Sequence, residues 1–135
     1  AFKTLIDGNS ELLSQPGPPE RHLRLMAEHY IGFGFANPSA YRLTYMTLPP
    51  DPINGPASDV METGITLYQE FISAVEAVIA AGRMKGEPKV LAQVIWATIH
   101  GTVALHLAKP YFDWAERDEL VRVQLDALFA GLLQT

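Results

Sequence analysis

The stretch Ile95–Trp96–Ala97–Thr98–Ile99–His100–Gly101, "IWATIHG", lies inside a long apolar run from Pro88 to about Lys109. Its residues fall on a 3.6-residue period: Leu91, Ile95, Thr98 and Leu105 share one side, and Val90, Val94, Ala97, Gly101, Ala104 and Ala108 share another. Trp96, Val103 and Leu107 fill much of the remaining circumference, so the segment reads as a helix with almost no polar face. A helix that is apolar all round is expected to be buried all round. Its length is also that of a membrane span. Gln93, His100 and His106 inside it, and the amphipathic character of the other helical segments, argue against that reading.

The same period extends outward in both directions, interrupted by breaker-rich stretches at 15–20, 37–39, 48–58, 82–88 and 109–113. No stretch sustains a period of two. The pattern predicts an all-α chain of about six helices. They run from about Ala1 to Leu13, from Pro18 or Pro19 to Ala36, over "PSAYRLTYM" after an Asn37 cap, from Asp59 to Ala81 after a Ser58 cap, from Pro88 to Lys109, and from a capping box of Asp113 and Glu116 to the end. Gly82 is placed to stop the fourth helix. The sixth carries two apolar stripes: Val121, Leu125, Leu128 and Leu132, and beside them Leu120, Val123, Ala127 and Gly131.

Composition limits what such a chain does. Its 135 residues suit one domain, and 48% hydrophobic residues suffice for a core. A formal net charge of −5 with scattered basic residues excludes these residues from gripping nucleic acid by themselves. With no cysteine there is neither a disulfide scaffold nor a cysteine metal site, in keeping with a reducing cytoplasm. The start, "AFKTLIDG", lacks the apolar core of a signal peptide and begins mid-pattern, so a preceding segment is expected in the natural protein.

The last two helices have more apolar surface than a monomer of this size needs. The expectation is a homodimer in which they pair across a two-fold axis as a four-helix bundle. Ala97, Gly101, Ala104 and Ala108 would let helix axes approach closely, and Val121, Leu125, Leu128 and Leu132 would complete the interface. Gly101 costs about 1 kcal/mol of helix propensity relative to alanine, which close packing would offset. A monomer that buries the same faces within itself is the alternative.

Trp96 and His100 are one turn apart and share a side. One reading is a core tryptophan beside a histidine satisfied locally. The other is a pair lining a cavity, with an aromatic face for stacking and an imidazole for orientation. The inward stripes add Tyr30, Phe33, Tyr45, Met61, Tyr68 and Phe71 as candidates for the same lining, with plain core as the competing role for each. Buried tyrosine hydroxyls need partners, so a ligand for such a cavity is apolar or aromatic with one or two polar groups. His22 and His29, seven apart, and His100 and His106, six apart, do not suit a shared metal, and no metal or other cofactor is expected. Neither a Gly-rich phosphate loop nor a G-x-S-x-G elbow is present, so an enzyme is not expected.

Helix order and motif together resemble the C-terminal regulatory domain of the tetracycline-repressor (TetR) family, in the subgroup named for a Trp-His-Gly motif. Trp96, His100 and Gly101 match the motif, and the likeness covers nearly the whole chain. The resemblance implies the effector-sensing and dimerisation domain of a cytoplasmic bacterial transcriptional regulator. Its DNA contact would belong to an N-terminal helix-turn-helix domain outside this chain, and its small-molecule effector would sit among the middle helices. A structural helical dimer module without a ligand is the alternative.

Overall fold

The computed structural model describes residues 2–47 and 59–134, with side chains described from Leu5 onward except at 59–61 and 63. Six α-helices follow in the expected order: α1 Phe2–Ser14, α2 Pro19–Ala36, α3 Pro38–Tyr45, α4 Asp59–Ala80, α5 Pro88–Ala108 and α6 Arg117–Leu132. Ser58, expected as a cap, lies outside the described residues. Among the described residues there is no strand, only a single antiparallel bridge between Met84 and Leu133.

Local chemistry sets the helix ends. α2 and α3 begin with proline in the first turn, where its missing N–H has no helical partner to lose. Asn37 stands at the α3 N-cap position, but its side chain donates to the Phe33 carbonyl and caps the end of α2 instead. Gly82 ends α4 at φ 74, with its N–H on the Ile79 carbonyl and that of Arg83 on the Val78 carbonyl. This paired closure requires the left-handed conformation that glycine adopts without strain. At α6 the expected cap is corrected: Glu116, not Asp113, is the N-cap, its carboxylate accepting from the amides of Asp118 and Glu119. The helix therefore starts one turn later than the Asp113–Glu116 box implied.

α2 is the central helix and contacts all five others. Leu23, Met26, Ala27 and Ile31 of α2 meet Ala74, Val75 and Val78 of α4, Ala92, Ile95, Ile99 and Val103 of α5, and Leu125 and Phe129 of α6 in one core. Leu5, Phe33 and Leu67 form a smaller core where α1 joins. The α2–α5 crossing is close. A Cβ on Gly34 would stand 2.6 Å from Cγ1 of Val103 and 3.1 Å from Cδ2 of Tyr41, so only glycine fits there without a shift. Gln124 ties α6 to α5 by accepting from the Thr102 hydroxyl at 2.6 Å and donating to the Thr98 carbonyl at 2.8 Å. The chain end is held to the α4–α5 turn, where the Gln134 amide donates to the Arg83 carbonyl at 2.7 Å and the Arg83 guanidinium donates to the Gln134 carbonyl.

α5 departs from the all-round burial expected of it. Ala92, Ile95, Ile99, Thr102 and Val103 are buried, but Val90, Val94 and Leu105 on the opposite side are 57%, 41% and 56% exposed. It is the one helix among the described residues long and apolar enough to cross a membrane, and a third of that window is buried inside the domain. The packing of its inner side on α2 and α4 is that of a core helix.

Candidate functional site

Four helices bring aromatic side chains to one place. Tyr30 comes from α2, Tyr41 and Tyr45 from α3, Tyr68 from α4, and Trp96 and His100 from α5. A hydrogen-bonded chain links most of them. The Trp96 indole N–H donates to the Tyr30 hydroxyl at 3.1 Å, the hydroxyls of Tyr30 and Tyr41 are 2.7 Å apart, and that of Tyr41 is 2.5 Å from Nδ1 of His100.

The chain has a direction. An indole N–H only donates. Tyr30 therefore accepts from Trp96, and the assignment that gives both hydroxyl protons an acceptor has Tyr30 donating to Tyr41 and Tyr41 donating to His100. Nδ1 of His100 is then the acceptor, and the imidazole carries its hydrogen on Nε2. Among the described residues that Nε2 has no hydrogen-bond partner.

Electrostatics keep the cluster neutral. Burial drives the ionisation of Tyr30, Tyr41 and Tyr45 far above the usual phenol range, with neighbouring tyrosines adding to the effect on Tyr30 and Tyr45. Burial lowers the pKa of His100, favouring the uncharged imidazole. The outcome is a set of oriented dipoles ending in an N–H at His100.

The rings also pack on one another. Tyr41 stacks at 22° to the His100 imidazole, with centroids 5.6 Å apart. Tyr45 contacts Tyr30, Tyr41 and Trp96, and Tyr68 lies 5.8 Å from Trp96. The Tyr68 hydroxyl accepts from the Gln93 side chain at 3.0 Å. Trp96 is 37% exposed, so its indole forms the outer edge of the cluster.

Of the residues expected to line a cavity, Tyr30, Tyr45, Tyr68, Trp96 and His100 come together. Phe33 instead packs with Leu5 and Leu67 under α1, and Phe71 is part of the main core. The Met61 side chain lies outside the described residues. Tyr41, the middle of the hydrogen-bonded chain, was not among the expected residues, nor was Gln93. A signal for both exists in the spacing. Tyr41 and Tyr45 are one turn apart on α3, and Gln93 lies one turn before Trp96.

The residues expected at a dimer interface divide. Ala97 and Ala108 are exposed on the open side of α5, with Gly101 and Ala104 half-buried between them. Apart from its chain neighbours and its own helix backbone, no atom of the described residues lies within 4 Å of where a Gly101 Cβ would be. On α6 the expectation is corrected for Leu125, which is wholly buried in the protomer's own core and has no surface to offer a second copy. Val121, Leu128 and Leu132 pack against that core, half-buried. The other stripe faces out: Val123 is 51% exposed, and Ala127 and Gly131 are exposed. Among the described residues no three His, Asp or Glu side chains stand together as metal ligands. His22 and His29 are instead bonded to the Gln15 carbonyl and to Asn9.

The class of protein follows from these features: an all-helical domain with a polar-lined aromatic cluster between its middle helices and an uncovered apolar face on its last two. The chain belongs to the family described as "Tetracyclin repressor-like, C-terminal domain", which matches residues 23–128. A solved structure described as a protein with unknown function from Rhodococcus sp. RHA1 is similar over 98% of this chain and 69% of its own, with a TM-score of 0.81 and 27% identity. No curated protein matches this chain.

Proposed function

We propose that the domain is the effector-sensing and dimerisation part of a TetR-like transcriptional regulator acting in the bacterial cytoplasm. The observation that carries the reading is the directed chain from Trp96 through Tyr30 and Tyr41 to His100. It ends on an N–H without a hydrogen-bond partner among the described residues, one helical turn from the half-open Trp96 indole, which Tyr68 contacts in turn. An apolar or aromatic molecule with a hydrogen-bond acceptor suits it. The rings supply contact area, and the His100 N–H supplies orientation.

Dimerisation would use the exposed side of α5 around Gly101 together with the Val123–Ala127 stripe of α6, and DNA would be read by an N-terminal helix-turn-helix domain outside this chain. The effector then acts by preferring one of two dimer arrangements, with no metal, redox cofactor or membrane involved. The reading is that of a sensor and not of an enzyme.

Light scattering on the 135-residue chain tests dimerisation, and thermal shift against a panel of aromatic alcohols, amides and ketones tests sensing. The expected result is a dimer at micromolar concentration with at least one stabilising compound, whose effect is lost in His100→Phe. A monomer overturns the reading.

A second reading has its own support. The hydroxyls of Tyr30 and Tyr41 both find partners within the protein, and their rings meet edge-on at 5.7 Å. That suits a structural helical dimer module with no ligand. A dimer that no compound stabilises selects it.

A further inference from the structure

A second site lies apart from the ring cluster, where the α5–α6 loop folds back on the α2–α3 corner. The cavity there has a volume of about 530 Å³, within the range of small-molecule sites. Its aromatic walls are Phe35, Phe112, Trp114 and His106. Trp114 stacks on the His106 imidazole at 4.0 Å and 20°, and its indole N–H is anchored on the Lys109 carbonyl at 2.8 Å. Phe35 meets His106 edge-on at 5.3 Å.

Two guanidinium groups complete the wall. Arg117 sits over the Phe35 ring, its Cζ 3.9 Å from the centroid, a cation–π contact. Arg42 reaches across from α3 and donates one amine to the Leu107 carbonyl at 3.0 Å. Neither forms an ion pair among the described residues, whereas Arg24, Arg83 and Arg122 all do. The one carboxylate in the lining is Asp113. Arg42, Arg117 and Asp113 together give the wall a net single positive formal charge. His106 stays bound to its own helix. Its Nδ1 is 2.7 Å from the Thr102 carbonyl and so carries the hydrogen, while its buried Nε2 has no partner among the described residues.

We propose that this cavity binds a small organic monoanion with an aromatic body, a carboxylate of the benzoate or naphthoate kind. The carboxylate takes the free edges of the Arg42 and Arg117 guanidiniums, a geometry in which each arginine donates in a fork. The ring lies among Phe35, Phe112 and Trp114. Charge balance favours a monoanion over a phosphate, and the mostly aromatic walls favour a ring over a small inorganic ion. The site is independent of the ring cluster, since neither arginine nor Trp114 takes part in the Trp96–His100 chain.

Titration calorimetry of the 135-residue chain with benzoate, 3-phenylpropionate and 2-naphthoate tests this, with 2-naphthamide as the uncharged match. NMR of the two indole N–H resonances, assigned with Trp96→Phe, locates the ligand. The expected result is saturable binding of a carboxylate that moves the Trp114 resonance, with the amide bound more weakly. Arg42→Gln and Arg117→Gln should each weaken binding about tenfold. Failure of all three carboxylates to saturate at millimolar concentration overturns the proposal. So does equal binding of the amide, a comparison that needs no variant to fold. Movement of the Trp96 resonance alone also overturns it and places the ligand in the ring cluster instead.

Discussion

The Tyr41 hydroxyl lies 2.5 Å from Nδ1 of His100, joining α3 to α5 across 59 residues of sequence. With Tyr41 as the donor, this contact selects the Nε2–H form of the imidazole and puts Tyr41 in the middle of the polar chain that begins at Trp96. In Tyr41→Phe the ring stays and the oxygen is lost. Tyr30 then has no acceptor for its proton, and Nδ1 of His100 has no donor. Leaving buried polar groups unmatched costs about 1–3 kcal/mol. Urea denaturation should show a loss of that size, and ¹⁵N NMR should show His100 no longer held in a single tautomer. An unchanged tautomer would mean that Tyr41 does not donate to it.

Burial lowers the pKa of His100 from its ordinary value of 6.5, so below that pH the unfolded chain takes up a proton that the folded one resists. More protons on the unfolded state means that stability rises with pH across this window. The contribution is fully present above 6.5 and is lost as pH falls from there toward the folded-state value. Thermal melts between pH 7.5 and 5 should show a declining Tm, and His100→Gln should flatten the part of the decline that belongs to this residue. A wild-type profile identical to that of His100→Gln would remove His100 from the account.

Gly34→Ala pits helix propensity against packing. Alanine gains about 1 kcal/mol in a helix interior. Here the new methyl would lie 2.6 Å from Cγ1 of Val103. Val103 is fully buried, and its β-branched side chain has one strongly preferred rotamer in a helix. Tyr41, on the other flank, is held by its bonds to Tyr30 and His100. Overpacking of this kind costs about 1–3 kcal/mol, so packing should win and the variant should melt earlier. A higher Tm would show that α2 and α5 separate more easily than their contacts imply.

Gly101 presents the opposite case. Space around it is open within the protomer, so Gly101→Ala should preserve the fold and gain up to about 1 kcal/mol of helix propensity. Gly101→Leu should also fold, yet weaken self-association by about tenfold or more if a second copy packs its helix there. Size-exclusion chromatography with light scattering over a dilution series reads the difference. An unaltered dimer in Gly101→Leu would move the interface away from this face.

The helices were legible in the sequence because each is punctuated by residues whose preferences are local. Pro19, Pro38 and Pro88 open helices, and Gly82 closes one by the φ it alone adopts comfortably. Asp113 misled because it is followed by a glutamate at capping-box spacing. The loop around Trp114, stacked on His106, delays the helix to Arg117. Nothing within a few residues of Asp113 encodes that stacking partner.

The ring cluster was legible in part. Trp96 and His100 declare themselves by spacing, and Tyr30, Tyr45 and Tyr68 by their inward stripes. Phe33 and Phe71 lie on equally apolar stripes but meet α1 and the main core instead. Tyr41 escaped because its importance is to Tyr30 and His100, one on each neighbouring helix.

What the amino-acid order determined alone was helix number, the helix ends marked by proline and by Gly82, and the surplus of apolar surface on α5 and α6, since period, caps and breakers act over a single turn. Which of the two α6 stripes turns inward was decided by the tertiary structure. Leu125 and Phe129 fill the space beside α2 and α5, while Val123 is left outside. Both stripes are apolar enough to be buried. Only the shape of the space left by the other helices, and the Gln124 bonds that set the rotation of α6 against α5, distinguish them.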